Sequence, residues 1–296
     1  MQHSDTLFSI GLPVYNAGQR LQGVVKSVLE QDHENLELVI SDNGSADNTE
    51  EVCRALAAKD ERIVYHRHPV NMGLLNNFVG AMGLARGAYF RWIGDDDRLH
   101  PSYMTRCLDE FANDDRLIVV TTQTDYTDSD GVTRTAPYDG TALRSDDPVT
   151  RLAEILRLLN ESYLLIDPCY GAYRMDKVRP IERRNMLNDD QVYSAKLALT
   201  GPWGHVGEVL ARRNWTFQTK ANLARKLGVT RAEAAFPHEL QCLEMVRCLD
   251  EFDLTREQKN RARLAIARLY AKRRQQTVVR LGKRLLRYGP AARGTT

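Results

Sequence analysis

The first 122 residues alternate between apolar runs of strand length and stripes of helical spacing, which restricts the chain to a few folds. Residues 7–12, 36–40, 63–66, 88–94 and 117–122 read as strands. Leu21, Val24, Val25, Val28 and Leu29 form one helical stripe, and further helices are expected up to Leu56, over residues 74–85 and up to Phe111. Pro13 is expected to end the first strand. Asp47 or Asn48 suits the cap of the second helix, because a short polar side chain satisfies free N–H groups there. Gly87 closes the third helix, and Pro101 fits the first turn of the fourth. Strand–helix alternation of this kind gives an α/β layer fold with a mostly parallel sheet. Such sheets bind ligands beyond the carboxyl ends of their strands.

Three polar groups fall at such ends: Pro13-Val14-Tyr15-Asn16, Asp42, and the run Asp95-Asp96-Asp97. Three adjacent carboxylates repel one another unless a cation sits among them. Their hard oxygens suit Mg²⁺ or Mn²⁺, which bridge carboxylates to phosphates. On acid content alone a loop of solvated aspartates is an equal alternative. The convergence of three distant segments on one sheet edge favours a site.

The second half is less regular. Residues 124–145 are polar and turn-rich, as a loop or hairpin over the sheet would be. A helix is expected over 152–165, a short strand over 170–174, a helix from Asp189-Asp190 to Leu199, and a strand over 204–210. From Asn222 onward the chain reads as helices, broken near Phe236-Pro237 and near residues 253–255.

Composition excludes several classes. A 43% hydrophobic, 27% charged chain of 296 residues is ordinary for a globular protein. No apolar run reaches the roughly eighteen residues of a membrane span, and the polar N-terminus lacks the pattern of a signal peptide. The five cysteines are scattered, without a C-x-x-C pair, which fits a reducing cytoplasm and argues against a disulfide framework or structural zinc. The net charge of +2 hides an asymmetry: residues 255–296 hold 13 Lys or Arg and one acid, leaving 28 basic and 38 acidic residues elsewhere.

At this point the motifs resemble a known family. Pro13-Val14-Tyr15-Asn16, the stretch from Val39 to Thr49 with Asp42-Asn43-Gly44-Ser45, Asn71-Met72-Gly73, and Gly94-Asp95-Asp96-Asp97 look like family 2 glycosyltransferases. The resemblance covers residues 7–110, rests on the order and spacing of the motifs, and fades beyond about residue 215. It implies a GT-A fold, a Rossmann-like nucleotide-binding mixed sheet flanked by helices, here with a helical C-terminal extension. The implied domain spans residues 1–218, with a nucleotide-sugar half (1–123) and an acceptor half (124–218), followed by helices over 219–296.

The resemblance also assigns roles. Asp42 would accept a hydrogen bond from the base, Pro13, Tyr15 and Asn16 would pack around base and ribose, and Asn71 and Gly73 would lie near the nucleotide. Asp97 would bind Mn²⁺ or Mg²⁺ and Asp95 or Asp96 the ribose, although many relatives carry an acid where Gly94 stands. The metal would offset charge on the departing nucleoside diphosphate. The acidic pair Asp189-Asp190 would be catalytic, with Asp190 the base that takes the acceptor hydroxyl's proton; by its place at the helix start Asp189 also suits an N-cap. Each role has a bland counterpart: Asp42 can close an Asx turn, Asn71 and Gly73 can form a plain turn, and the acidic pair can serve the helix dipole. Trp203, His205 and Trp215 read as core more readily than as a sugar platform.

The implied activity is metal-dependent, inverting transfer of one sugar from a nucleotide-sugar donor, UDP-linked by the family's habit, to a carbohydrate or lipid-linked acceptor in cell-surface polysaccharide or glycolipid synthesis. The Q-x-x-R-W signature of processive synthases is absent around Arg213-Asn214-Trp215. Alternatives are a sugar-phosphate nucleotidyltransferase, though no basic Gly-rich loop follows the first strand, and a non-catalytic scaffold module. An oxidoreductase lacks its G-x-G-x-x-G. An EF-hand fails because Gly44 stands where a ligand is required. In the tail, Val278, Leu281, Leu285 and Tyr288 repeat at helical spacing among Lys and Arg. Such a helix lies on an anionic membrane surface, making the protein peripheral on the inner face of the cell membrane, or packs on the acidic body or a second copy in a homo-oligomer. No aromatic interleaving supports nucleic acid binding.

Overall fold

The structure, a computed structural model, describes residues 5–162, 164–215 and 219–288. Five strands and four helices alternate first: β1 (Phe8–Val14), α1 (Leu21–Leu29), β2 (Leu36–Asp42), α2 (Thr49–Ala57), β3 (Ile63–Arg67), α3 (Leu74–Leu84), β4 (Tyr89–Trp92), β5 (Arg98–Leu99) and α4 (Tyr103–Asn113). Then come β6 (Val119–Asp128), β7 (Thr133–Arg134), α5 (Pro148–Glu161), β8 (Ala172–Arg174), α6 (Met175–Val178), α7 (Asp189–Thr200) and β9 (Trp203–Trp215). Four helices follow: α8 (Lys220–Leu227), α9 (Arg231–Ala235), α10 (Pro237–Cys248) and α11 (Arg256–Tyr288).

One mixed sheet runs in the order β3-β2-β1-β4-β8-β6-β9-β5, with β7 paired to β6. The strands β3, β2, β1 and β4 are parallel, as the alternation predicts. The sheet then departs from mostly parallel: β8 is inserted antiparallel between β4 and β6, and β9 runs parallel to β6. Every residue of β2 is buried, as expected for a parallel strand covered on both faces.

Pro13 does not end β1. The strand pairs with β2 as far as Val14 opposite Asp42, whereas its pairing with β4 ends at Gly11 opposite Trp92. Gly11 offers its carbonyl to Ile93 N–H at 2.9 Å on the β4 side. Pro13, two residues on, faces the same way, where the ladder has already stopped, so its missing N–H forfeits no bond. The turn-rich stretch after Thr124 is partly strand, since β6 runs on to Asp128 and turns back through β7.

Apolar clusters cover both faces of the sheet. A third core joins Val149, Leu152 and Leu156 of α5 and Val192 and Leu199 of α7 to Met245 of α10 and Ala262, Ile266 and Leu269 of α11. The C-terminal helices are thereby fastened to the helix that begins with Asp189-Asp190. The side chains of Val278, Leu281, Leu285 and Tyr288 lie outside the described residues. Among the described residues no helix is long and apolar enough to cross a membrane.

Candidate active site

The carboxyl ends of β1, β2 and β4 hold the polar groups that the sequence places there. At the end of β2, Asp42 is fully buried. Its Oδ1 accepts from Ser45 N at 2.9 Å and Ser45 Oγ at 2.6 Å, and its Oδ2 from Tyr65 Oη at 2.8 Å. The turn-closing use of Asp42 is therefore realised, and no face of the carboxylate is exposed to a base in this conformation. Gly44 sits in that turn at φ +68°, and a Cβ there would lie 2.9 Å from the Val70 carbonyl carbon, so only glycine is free of strain.

The neighbouring loops are laced together by asparagines. Asn16, at φ +51°, accepts Ala46 N–H on its side-chain oxygen at 2.9 Å. Asn43 donates to Asn71 Oδ1 at 2.9 Å and accepts Met72 N–H at 2.7 Å. Asn71 also accepts Gly73 N–H at 2.9 Å, and Gly73 takes φ +87° just before α3. Pro13 is half-buried, while Tyr15, Asn16 and Asn71 are exposed around the same edge. Asp47, rather than the N-cap Asn48, supplies the side chain that bonds Thr49 N–H at 3.1 Å at the start of α2.

The three aspartates after β4 have three environments. Asp95 pairs with Arg20 at 2.7 Å. The Asp96 carbonyl accepts from Asn214 at 3.0 Å. Asp97 is 1% exposed: its Oδ2 accepts from Gly94 N at 3.1 Å and Arg213 Nε at 3.0 Å, whereas its buried Oδ1 has no hydrogen-bond partner. Burial pushes the Asp97 carboxyl up, and Arg213 opposes that shift. No group of three or more His, Cys, Asp or Glu is placed to hold a metal among the described residues. An unpaired hard oxygen does fit a cation that takes one or two protein carboxylates and completes its shell with water and phosphate.

Beside this edge lies a cavity of about 490 Å³. One wall is apolar, with Phe78 of α3, Leu158 of α5 and Leu223 of α8. The other carries Asp167, Arg183, Asp189, Asp190 and Arg213. Arg213 is the link between the two regions: it bonds Asp97 on one side and Asp167 on the other, and its guanidinium lies 3.6 Å from the centre of the Tyr170 ring. Burial disfavours its charge, but Asp167 and Asp97 hold Arg213 well above the usual guanidinium value.

The acidic pair opens α7, but Asp189 is not the cap. Asn188 occupies that position at φ +63°, and Asp189 instead takes Arg183 Nε at 3.0 Å and Nη2 at 2.6 Å on one oxygen. Arg183 in turn stacks over Trp92 and Tyr193. Asp190 is exposed at the cavity wall and takes no side-chain hydrogen bond among the described residues. Protein surrounds that cavity, and the resulting desolvation, together with the charge of Asp189, pushes the Asp190 carboxyl up to about 6 despite the opposing Arg183.

Trp203 and Trp215 part company. Trp203 is fully buried, whereas Trp215 is 40% exposed and lines the cavity. His205 is half-buried and bonds Thr121 at 2.9 Å, away from the acids. Asp167, Tyr170, Arg183 and Arg213 carry no motif that would single them out in the sequence. The one available signal was charge interrupting apolar text, as Asp167 does between Leu164-Leu165-Ile166 and Pro168.

A family model described as glycosyl transferase family 2 matches residues 9–179, more than half of the chain. Over 129 residues the chain is 35% identical to the chondroitin synthase of Pasteurella multocida (strain Pm70), a stretch covering 44% of this chain and 13% of that protein. The chain thus spans only a small part of that relative's length. Among solved structures it is similar to S. aureus TarS 1–349 in complex with UDP-GlcNAc, with TM-score 0.65 and 15% identity over 89% of this chain and 72% of that one. It is also similar to the mannosyltransferase PcManGT of Pyrobaculum calidifontis in complex with GDP-Man and Mn²⁺, with TM-score 0.55 and 14% identity over 96% of this chain and 81% of that one. At such identities these likenesses speak for the fold, which is that of GT-A enzymes. By the family match the chain belongs to glycosyl transferase family 2.

Proposed function

We propose that this protein transfers a single sugar from a nucleotide-diphosphate sugar, UDP-linked by preference, to an acceptor hydroxyl with inversion at the anomeric carbon. One observation carries the reading: among the described residues Asp190 has no side-chain partner, and it stands at the cavity wall with a carboxyl pushed up to about 6, close to the range that suits a general base. In this reading Asp190 takes the acceptor hydroxyl's proton, and Asp189, paired with Arg183, is held in place beside it. Tyr15, Asn16, Asn71 and Gly73 form the nucleotide edge with Pro13 and Asp42, Asp95 and Asp96 face the ribose, and residues 124–218 supply the acceptor half.

Asp97 is the residue that would hold Mn²⁺ or Mg²⁺, through its unpaired Oδ1. When bound, the ion neutralises charge on the leaving nucleoside diphosphate. The Mn²⁺ complex of PcManGT and the UDP-GlcNAc complex of TarS support a cation and a nucleotide-sugar donor here by likeness of fold. Cell-surface polysaccharide or glycolipid synthesis is the matching role. The basic end of α11 would bring the enzyme to an anionic inner membrane surface, where a lipid-linked acceptor would be found, or to a second copy of the chain.

The test is a panel of UDP-, GDP- and dTDP-sugars with Mn²⁺, scored for sugar-dependent calorimetric binding and for release of the nucleoside diphosphate. Release from one donor class, faster with acceptor present, is expected. No binding and no release across the panel would sink the proposal. Flotation of the intact chain with liposomes containing anionic lipid, against neutral liposomes, tests the membrane part; equal partitioning removes it.

A further inference from the structure

The C-terminal helix α11 carries a regular buried stripe: Ala262, Ile266 and Leu269 pack into the core shared with α5, α7 and α10. The next position on that stripe is Arg273, which is 8% exposed. A guanidinium in an aliphatic position is costly to desolvate unless its charge or its hydrogen bonds are used.

Its bonds all go to neutral groups. Nη1 donates to Gln241 Oε1 at 2.6 Å and Nη2 to Gln191 Oε1 at 2.7 Å, with longer bonds to Asn160 Oδ1 at 3.3 Å and the Leu159 carbonyl at 3.4 Å. Gln241 of α10, itself fully buried, closes the ring by donating to Gln191 Oε1 at 2.8 Å and accepting from Asn188 Nδ2 at 3.2 Å. Asn188 and Gln191 flank Asp189 and Asp190 in the first turn of α7. No carboxylate touches Arg273 among the described residues, and Asp190 is the carboxylate whose charge acts on it.

We propose that Arg273 is a positioning residue for the base: by forking across Gln191 and Gln241 it fixes the turn that aims Asp190 into the cavity, and its buried charge favours the ionised carboxylate. This rests on Asp190 being the base proposed above. The other groups facing Asp190 are Asp189 on α7, Arg183 before it, and Asp167 and Cys169 from the segment leading to β8. Among the described residues none of them hydrogen-bonds to the amide ring, so the Arg273 fork and the Arg183–Asp189 pair can be removed separately. A small displacement of a reacting group costs up to about 10²-fold in rate, which sets the scale of the effect.

The experiment uses the full chain and three variants, R273M, R273K and Q241L, beside D190N. Melting temperature, nucleotide affinity with Mn²⁺, and kcat as a function of pH are measured for each. For R273M we expect kcat about 10- to 100-fold lower, nucleotide affinity unchanged, and an acidic limb of the kcat profile displaced to higher pH. R273K keeps the charge without the fork, so kcat falls while the limb stays in place; Q241L should behave in the same way. Variants that lose only melting temperature, with kcat per folded molecule and the acidic limb unchanged, overturn the inference. If R273M does not fold, R273K and Q241L decide by the same criteria. A D190N protein with near-normal transfer would instead remove the base reading, whereas an inactive D190N beside unaltered Arg273 and Gln241 variants removes this inference alone.

Discussion

At the carboxyl edge of β1, β2 and β4, Asp42, Asp95 and Asp97 each have a built-in partner: Asp42 has Ser45 and Tyr65, Asp95 has Arg20, and Asp97 has Gly94 and Arg213. At the start of α7, in the cavity lining, Asp189 is matched with Arg183, whereas Asp190 has no side-chain partner among the described residues. The first region thus holds its carboxylates in fixed places, although burial still pushes the Asp97 carboxyl up against the opposing Arg213. In the second, burial pushes both carboxyls up, but Asp189 is anchored by Arg183, while Asp190 rises to about 6 with the charge of Asp189 adding to its shift. Arg213 spans both regions and ties their electrostatics together.

The largest effect should come from removing the open acid. Asp190→Asn keeps the shape of the side chain and removes its basicity, so kcat should fall about 10²- to 10⁴-fold while nucleotide affinity holds. In the wild type the same group gives the pH sign. A base with a carboxyl near 6 is protonated as pH falls, so kcat should drop about tenfold per pH unit below about 6 and level off above it. An acidic limb near pH 4 would mean that the group limiting kcat is not a raised Asp190, and the contrast between the two regions would shrink accordingly.

Arg213→Ala tests the link. It strands Asp97, which is 1% exposed, beside a lost cation. Breaking one side of a buried pair typically costs about 3–5 kcal/mol, and a urea titration with an unchanged slope should show a loss near the lower figure because Asp97 keeps its bond to Gly94. A loss within a few tenths of the wild type would mean that the two regions are independent. Next in size is Asp97→Asn. It should abolish the Mn²⁺-dependent rise in melting temperature and weaken metal-assisted nucleotide binding about 10- to 100-fold. Chelator-treated wild type should match the variant; if the variant still responds to Mn²⁺, another acid holds the ion.

The same comparison explains what could be read from sequence. The carboxyl edge of β1 and β2 was legible because its constraints are local: Gly44 must take a left-handed turn, Asn71 and Gly73 close a loop within three residues, and Asp42 caps a turn three residues long. The wall around Asp190 is assembled from Asp167, Arg183 and Arg213, single residues from three separate segments that meet only when β9 lies beside β6. Periodicity reports elements, not the pairing of distant ones, so β8 entering antiparallel and the bridge from Arg213 to Asp97 had no sequence signal. Asp189 shows the limit from the other side: an acid at a helix start is read as a cap, and only the position of Arg183 reveals it as half of an ion pair.

The smallest effect probes the frame that carries the second region rather than its chemistry. Asp147 caps α5, accepting Val149 N–H at 3.3 Å and Thr150 Oγ1 at 2.8 Å, and it also pairs with Arg261 of α11 at 2.7 Å. Burial alone would raise its carboxyl, but Thr150, Arg261 and the Val149 amide outweigh that and bring it from 3.8 down to about 2. A folded-state value below the unfolded one means that the stabilisation is fully present above pH 3.8 and is lost as pH falls toward about 2. Asp147→Ala should cost about 1 kcal/mol at neutral pH, the usual value of a lost N-cap. Asp147→Asn keeps the Oδ1 that caps Val149 N–H and gives up the Oδ2 that accepts from Thr150 and the partly exposed Arg261, so it should cost less and should not titrate in that window. An alanine variant as stable as wild type at pH 7, or a difference that persists unchanged at pH 2, would show that α5 is held by its apolar face alone and that the C-terminal helix is docked without this pair.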